Sequence, residues 1–349
     1  MKAPFKVAVV QVPPVFMNRD ATITIACERI AEAARAGAQL VVFPEAFVPG
    51  YPDWIWVARP GQRKLLNDLY ARLVSQAVDV PSPAVDQLRD AARSAGVTLV
   101  IGINERNAEA SGTSIYNTAL VIGPDGRLLG RHRKLMPTGP ERMVWAQGDG
   151  STLEVYDTPF GKLSALLCWE NYMPLARYAM TAWGARIHVA PTWDRGEPWI
   201  STMRHIAKEG RVFVISSCMA LRKKDVPAEL EFVMLYPDGR EWINGGDSLV
   251  VNPEGQIIAG PLHEAEGILY ADLDADMATG TRWMFDAAGH YARPDVFQLT
   301  VNREARPMLR ESVEVVAQAR PRAAAGRRRR SAGARPKRAR PAGRKARRR

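Results

Sequence analysis

Stretches rich in apolar residues alternate with helical patterns through the first hundred positions of the chain. Val7–Val12, Leu40–Phe43 and Val97–Ile103 are short and largely apolar, which predicts buried strands. Asp20–Arg35 places apolar side chains three and four residues apart, which is typical of an amphipathic helix. Val85–Ala95 shows a helical pattern as well. The order predicts strands that are followed directly by helices.

Hairpins and further strand–helix pairs follow in the second part of the chain. Asn117–Ile122 runs through Gly-Pro-Asp-Gly into Leu128–Arg131, and Thr152–Tyr156 runs through Pro-Phe-Gly into Leu163–Leu167. The remaining predicted elements are two helices and four strands: Pro174–Trp183, Glu197–Glu209, Ile187–Ala190, Val212–Ser217, Ser248–Val251 and Ile257–Ile258. Strands outnumber helices, so the pattern predicts a layered α/β domain with a mixed sheet.

Composition places the chain among globular proteins and its positive charge in a tail. The 349 residues are 46% hydrophobic and carry a net charge of +11. Fifteen Lys and Arg residues and no Asp or Glu lie in Arg320–Arg349, which leaves positions 1–319 with a net charge of −4. This tail has no large apolar residue, so we predict that it is disordered and able to contact polyanions non-specifically.

Several classes of protein are disfavoured by the sequence. The apolar runs fall short of the roughly 18 residues of a membrane span, and the N-terminus reads as a strand instead of a signal peptide. Only three cysteines are present, which predicts a cytoplasmic protein without a disulfide framework. The five histidines lack the spacing of metal ligands, so no metal is expected.

Three predicted strands lead into a reactive polar residue. Glu45 directly follows an apolar strand and a proline, Lys134 lies between a strand and a proline turn, and Cys168 ends an apolar run. Ligand sites of α/β sheets gather at strand ends. A carboxylate can take the proton of a cysteine, and an ammonium group can stabilise the negative charge that develops during attack. A structural ion pair between Glu45 and Lys134 is the alternative.

The segments around these residues carry a family resemblance. FPEAFVPGYPDW, HRKLMPTGPERMVWAQGDG and LLCWENYMPLARYAMTAWGA resemble the three signature regions of the nitrilase branch of the carbon–nitrogen hydrolase superfamily, and APTWDRG and GHYARPDVF add to the match. The resemblance extends from about Phe5 to about Val301. It implies a four-layer αββα sandwich and an activity that needs no cofactor. The expected organisation is a catalytic domain at 1–301, an extension at 302–319 and the tail at 320–349.

The resemblance also implies roles for individual residues. Glu45 would be the general base, Lys134 the stabilising cation, Cys168 the nucleophile and Glu141 a second glutamate of the site. The backbone N–H of Trp169 would complete an oxyanion hole with Lys134. For Glu141, a charge at the N-terminus of a helix is the structural alternative.

Other residues near the motifs have open roles. Trp169, Trp193 and Tyr51 are candidates for the substrate pocket, although clustered aromatic residues are often plain packing. Cys27 and Cys218 are expected in the core. The role of His290 is open, and Glu170 and Asn171, which follow the nucleophile, are expected to orient its turn.

The expected function is hydrolysis of an organic nitrile to an acid and ammonia, in a homo-oligomer built from dimers. Amidase, carbamoylase and cyanide-degrading activities use the same Glu, Lys and Cys and are the nearest alternatives. A nucleic-acid-binding protein that acts through the basic tail is an alternative of another class. The choice of nitrile cannot be inferred from the sequence, because it depends on the shape of the pocket.

Overall fold

The computed structural model describes residues 4–309. The chain forms thirteen strands in this range: β1 Phe5–Gln11, β2 Ala38–Val42, β3 Thr98–Arg106, β4 Ile115–Ile122, β5 Leu128–Arg133, β6 Val155–Thr158, β7 Gly161–Ala165, β8 Ile187–Thr192, β9 Phe213–Cys218, β10 Ala220–Arg222, β11 Trp242–Val251, β12 Ile257–His263 and β13 Gly267–Leu273. The seven α-helices are α1 Arg19–Arg35, α2 Trp54–Val57, α3 Arg63–Ser75, α4 Pro83–Ala95, α5 Pro174–Ala182, α6 Glu197–Gly210 and α7 Ala275–Gly280.

The strands form two mixed sheets. In the first, the order is β13-β1-β2-β3-β4-β5, with β1, β2 and β3 parallel and the outer strands antiparallel to their neighbours. In the second, the order is β10-β11-β9-β8-β7-β6, and β12 pairs with β11. Here β7, β8 and β9 are parallel. The parallel strands at the centre of each sheet need crossover helices, which α1, α4, α5 and α6 provide.

Alternate side chains of each central strand face different layers. In β2, Val41 packs with α1 and α4, whereas Leu40 and Val42 pack between the sheets against β7, β8 and β9. Trp199 and Met203 of α6 cover the outer face of the second sheet. This period of two, with both faces covered, gives the layers α, β, β, α. The predicted sandwich is confirmed.

Some elements were missed by the sequence reading. Helix α3 is strongly charged and has only Leu69 and Leu73 as buried side chains, so its apolar stripe is narrow. Strand β13 is half-buried along most of its length because it lies at the edge of the first sheet. The predicted tail at 320–349 and most of the extension at 302–319 lie outside the described residues.

The ends of three strands position the candidate residues. Glu45 follows β2 by three residues, Lys134 follows β5 directly, and Cys168 follows β7 by three residues. The turn with Glu45 lies directly on β3, since a Cβ atom at Gly102 would come within 2.3 Å of the carbonyl oxygen of Pro44. Only glycine fits there without displacing the turn. No helix within residues 4–309 is long and apolar enough to cross a membrane.

Candidate active site

Cys168 lies on a strained turn between β7 and α5. Its φ of +50° is in the left-handed region that non-glycine residues rarely adopt. The side-chain nitrogen of Asn171 donates to the backbone oxygens of Leu166, at 3.0 Å, and of Cys168, at 2.8 Å. These two bonds hold the turn on both sides of the sulfur. The prediction that Asn171 orients the turn agrees with this geometry.

Asn171 is in turn fixed by a buried polar chain. Because its nitrogen donates twice, its Oδ1 accepts from His188 Nε2 at 2.7 Å, and His188 Nδ1 accepts from the Ser164 hydroxyl at 2.8 Å. Burial, together with the charge of Arg177, lowers the pKa of His188 to about 4. The imidazole is therefore neutral near pH 7, in the tautomer that this chain requires.

Lys134 is completely buried and bonded to two carboxylates. Its Nζ lies 2.8 Å from Glu45 Oε1 and 2.7 Å from Glu141 Oε2. Burial opposes the charged form, but the carboxylates of Glu45 and Glu141 and the nearby Cys168 outweigh it, so the pKa of Lys134 is raised. The group is a permanent cation beside the cysteine.

The two oxygens of Glu45 have different environments. Oε1 accepts from Lys134 and from Asn117 Nδ2, at 2.6 Å, whereas Oε2 is buried without a hydrogen-bond partner. Burial raises the pKa of Glu45, against the opposing effect of Lys134. An unpartnered, buried carboxylate oxygen is costly and has a raised affinity for a proton. This is the state that a general base needs.

Glu141 is fixed by donors on both oxygens. Its Oε1 accepts from the Tyr51 hydroxyl at 2.6 Å, and its Oε2 accepts from Lys134 and from the backbone N–H of Thr138, at 2.7 Å. Glu141 lies in a 3₁₀ helix, Gly139–Met143, and closes its capping box with Thr138. The helix-terminus contact and the contact to Lys134 therefore coexist in one side chain.

A cleft of about 480 Å³ opens beside Cys168 and Glu141. Tyr51 and Trp193, both predicted for the pocket, stack with ring centroids 4.4 Å apart and line it together with the half-exposed Trp169. Their polar atoms are occupied: the indole nitrogen of Trp193 donates to Asp53 and that of Trp169 donates to Asp194, both at 2.8 Å. The rings therefore present apolar surface to the cleft.

The thiol of Cys168 carries a pKa above its usual range. Burial is the main cause, Glu45 and Glu141 add to it, and Lys134 opposes it. The resting group is therefore a thiol next to a carboxylate with a free oxygen and an ammonium group. A thiol, a base and a fixed cation in one buried site can carry out nucleophilic attack on a polar carbon–nitrogen bond.

Sequence comparison identifies the family of the chain. A sequence model of the carbon–nitrogen hydrolase family matches residues 6–282. The chain belongs to the carbon–nitrogen hydrolase family. It is 45% identical to an aliphatic nitrilase of Sinorhizobium fredii, over 86% of this chain and 96% of that protein, and 43% identical to nitrilase 1 of Arabidopsis thaliana, over 86% and 88%.

Solved structures agree with this assignment at the level of the fold. Nit3 of Saccharomyces cerevisiae, a member of the nitrilase superfamily, matches with a TM-score of 0.66 at 24% identity, over 83% of this chain and 97% of that one. A carbon–nitrogen hydrolase from Helicobacter pylori matches with a TM-score of 0.63 at 21% identity, over 84% and 97%. The sandwich of this carbon–nitrogen hydrolase is thus a recurring architecture.

A buried ion pair of this carbon–nitrogen hydrolase was missed by the sequence reading. Glu170 accepts from His132 Nε2 at 3.0 Å and from the backbone N–H groups of Leu135, at 2.6 Å, and Leu167, at 2.7 Å. It therefore joins the segment after β5, which carries Lys134, to the turn that carries Cys168. The sequence signal was a glutamate within an otherwise buried segment, but its partner lies 38 residues away.

The remaining candidates share no hydrogen bond with Glu45, Lys134 or Cys168 in the described residues. Cys27 is half-buried on α1, and Cys218 is buried at the end of β9, beside Thr192 of β8 in the strand register. His290 is exposed and contacts the ring of Tyr291. Across residues 4–309, no cluster of three or more His, Cys, Asp or Glu side chains is arranged to hold a metal ion.

Replacement of Glu170 by glutamine should lower stability, and the size of the loss should depend on pH. The amide nitrogen would face backbone donors or His132, so we expect a loss of about 3 kcal/mol in the free energy of unfolding. The pKa shifts of Glu170 and His132 have defined directions. Burial opposes both charges, but each partner outweighs it, so the pKa of Glu170 is lowered from 4.5 and that of His132 is raised from 6.5.

The pH dependence of this loss follows from those directions. The Glu170 contribution is present above pH 4.5 and disappears as the pH falls through the lowered pKa. The His132 contribution is present below pH 6.5 and disappears as the pH rises through the raised pKa. The free energies of unfolding of the wild type and Glu170→Gln, measured in urea, should therefore differ most between pH 4.5 and pH 6.5. A constant difference, or an equal loss in the exposed control Glu254→Gln, would contradict the ion pair.

Proposed function

We propose that this protein is a nitrilase that hydrolyses an organic nitrile to the carboxylic acid and ammonia. The observation that carries the proposal is the free, buried Oε2 of Glu45 beside Cys168, with Lys134 held against the other oxygen. The identity of 41–45% to proteins named nitrilases, over most of the chain, favours nitriles as substrates over amides. The overall reaction consumes two water molecules and releases one ammonia.

The first step is attack by sulfur on the nitrile carbon. Glu45 Oε2 takes the proton from Cys168 Sγ, and the thiolate forms a bond to carbon while one carbon–nitrogen bond order is lost. The nitrile nitrogen then takes the proton back from Glu45, which gives a neutral thioimidate. The ammonium group of Lys134 and the backbone N–H of Trp169 stabilise the negative charge that develops on nitrogen.

Two additions of water complete the turnover. Glu45 takes a proton from the first water, whose oxygen bonds to the thioimidate carbon, and delivers the proton to nitrogen. The hydroxyl proton of the tetrahedral species then moves to nitrogen through Glu45, the carbon–nitrogen bond breaks, and ammonia departs to leave an acyl thioester. A second water attacks in the same way, the carbon–sulfur bond breaks, and the proton returns to Cys168. Glu141 holds Lys134 in place, since its oxygens accept from Lys134, from Tyr51 and from the backbone N–H of Thr138.

The cleft favours a nitrile with an apolar substituent. Tyr51, Trp169 and Trp193 direct ring surface into a space of about 480 Å³, and their polar atoms are bonded to protein groups. An apolar substituent bound there would displace water from ring surface only, and no polar atom of the three rings would lose a hydrogen bond. The charged groups among the cleft residues have both signs, since Arg195 lines the cleft beside Asp53 and Asp194.

Ammonia release across a nitrile panel tests the activity, with the matching amides beside it. The wild-type protein should release ammonia from nitriles with apolar substituents and form the acids, because Cys168 is positioned for attack. Cys168→Ala should lose the activity by a factor of about a million, as expected when a nucleophile is removed. Cys27→Ala and Cys218→Ala are the matched controls and should retain turnover.

The same panel separates the alternatives. Faster ammonia release from the amides than from the nitriles would favour an amidase and contradict the proposal. Measurable nitrile hydrolysis by Cys168→Ala would exclude Cys168 as the nucleophile. A mass increase on the peptide that contains Cys168, during incubation with a slowly hydrolysed nitrile, would show the covalent intermediate directly.

Replacement of Glu141 by glutamine tests its catalytic role. The amide would turn a donor toward Lys134 or Tyr51 and shift the cation, so we expect kcat to fall by at least about a hundredfold, equivalent to about 3 kcal/mol. The covalent adduct should still form, because Glu45 keeps its bonds to Lys134 and Asn117. Wild-type kcat in Glu141→Gln would leave only the capping role, and Glu254→Gln serves as the control.

We also propose that the protein works in the cytoplasm as a homo-oligomer built from dimers, and that its tail contacts polyanions. Leu175 and Tyr178 expose apolar surface on α5, which supports assembly.

A protein truncated after Gln318 should hydrolyse nitriles at the wild-type rate, whereas only the full-length protein should bind an anionic resin at low salt and release as salt rises. Equal retention of both forms would contradict a role of the tail.

A further inference from the structure

Thr192 brings a hydroxyl group to the sulfur of the nucleophile. It is the last residue of β8 and is fully buried. Its Oγ1 lies 3.3 Å from Cys168 Sγ, within hydrogen-bond distance for sulfur. The pairing of β8 with β7 on one side and β9 on the other fixes the position of Thr192 along the strand direction. The contact is therefore set by the strand register and not by a mobile loop.

The neighbouring bonds determine the direction of this contact. The backbone N–H of Asp194 donates to Thr192 Oγ1 at 2.8 Å, so an acceptor position of the hydroxyl is already occupied. The competing acceptor for its proton, the carbonyl oxygen of Asp194, is farther away at 3.5 Å. The hydroxyl is therefore oriented to donate to sulfur, which leaves the thiol proton free for Glu45.

We propose that Thr192 is a further catalytic residue, whose hydroxyl stabilises the thiolate of Cys168 by donating a hydrogen bond to it. The proposal rests on Cys168 being the nucleophile of the proposed nitrilase reaction. The hydroxyl keeps its proton throughout, so no atom is transferred. The bond strengthens as charge builds on sulfur, because hydrogen bonds to charged acceptors are stronger than those to neutral ones.

The charge balance around sulfur explains why such a donor matters. Burial and the carboxylates of Glu45 and Glu141 disfavour the thiolate, and Lys134 is the cation that opposes them. Lys134 donates to both carboxylates, so once Glu45 has taken the thiol proton the charge of Lys134 is shared between Glu141 and the thiolate. Within residues 4–309, Thr192 supplies the hydrogen bond that ends on the sulfur itself.

Alkylation of the cysteine by iodoacetamide tests the proposal without a substrate. The rate is followed over a range of pH by mass spectrometry of the tryptic peptide Leu163–Arg177, which contains Cys168 and neither of the other cysteines. Thr192→Val keeps the branched shape and removes the hydroxyl, and Thr192→Ser keeps the hydroxyl. Thr98→Val is the matched control, since Thr98 is equally buried and its hydroxyl has no hydrogen-bond partner.

Thr192→Val should be alkylated about ten times more slowly than the wild type near pH 8, with the rise of the rate displaced upward by about one pH unit. kcat/KM for a nitrile should fall by a similar factor and follow the same displacement. Thr192→Ser should behave like the wild type in both measurements, and Thr98→Val should alter neither. Melting temperatures of all variants report on folding separately.

Two results would overturn the proposal. An unchanged alkylation profile in Thr192→Val, with lower activity, would assign the hydroxyl to the Asp194 turn alone. Equal defects in Thr192→Ser and Thr192→Val would assign the effect to packing of the methyl group. If the wild type hydrolyses no nitrile, the proposed nitrilase function is wrong. The effect of Thr192 on the sulfur is still tested in that case, because the alkylation rates need no substrate.

Discussion

The buried ammonium group of Lys134 is the constraint on which the site depends. A cation without water contacts is tolerated only where carboxylates lie against it, and Glu45 and Glu141 do so at 2.8 and 2.7 Å. The carboxylates in turn need donors, which Asn117 and Tyr51 provide. These groups come from three segments of the chain, at positions 45–51, 117 and 134–141. The charge of one lysine thus fixes the relative positions of distant segments.

The sandwich makes this convergence possible. The turn after β2, the end of β5 and the turn after β7 approach one another because the inner faces of the two sheets share one apolar core. Glu170 and His132 reinforce the approach, since they tie the segment after β5 to the turn of Cys168. The reactive groups are therefore held by regular structure on both sides, and little adjustment is left to them when a substrate binds.

Residues that interrupt an apolar pattern could be predicted from the sequence, and residues that fit a pattern could not. Glu45 and Cys168 follow apolar strands abruptly, Lys134 lies between a strand and a proline turn, and the layered fold followed from the alternation of strands and helices. Thr192 is an unremarkable residue in a strand by sequence, and only its register beside β7 brings it to the sulfur. Helix α3 was missed since few of its side chains are buried.

The chain of Ser164, His188 and Asn171 has a consequence for the conditions under which Cys168 keeps its geometry. Its members are neutral, and the pKa of His188 is lowered to about 4, so none of them gains or loses a proton between mildly acidic and alkaline solution. The hydrogen bonds that Asn171 donates to the cysteine turn therefore rest on groups that do not respond to acidity, in contrast to the Glu170–His132 ion pair. This part of the support of the turn stays constant over the range in which the reacting groups titrate.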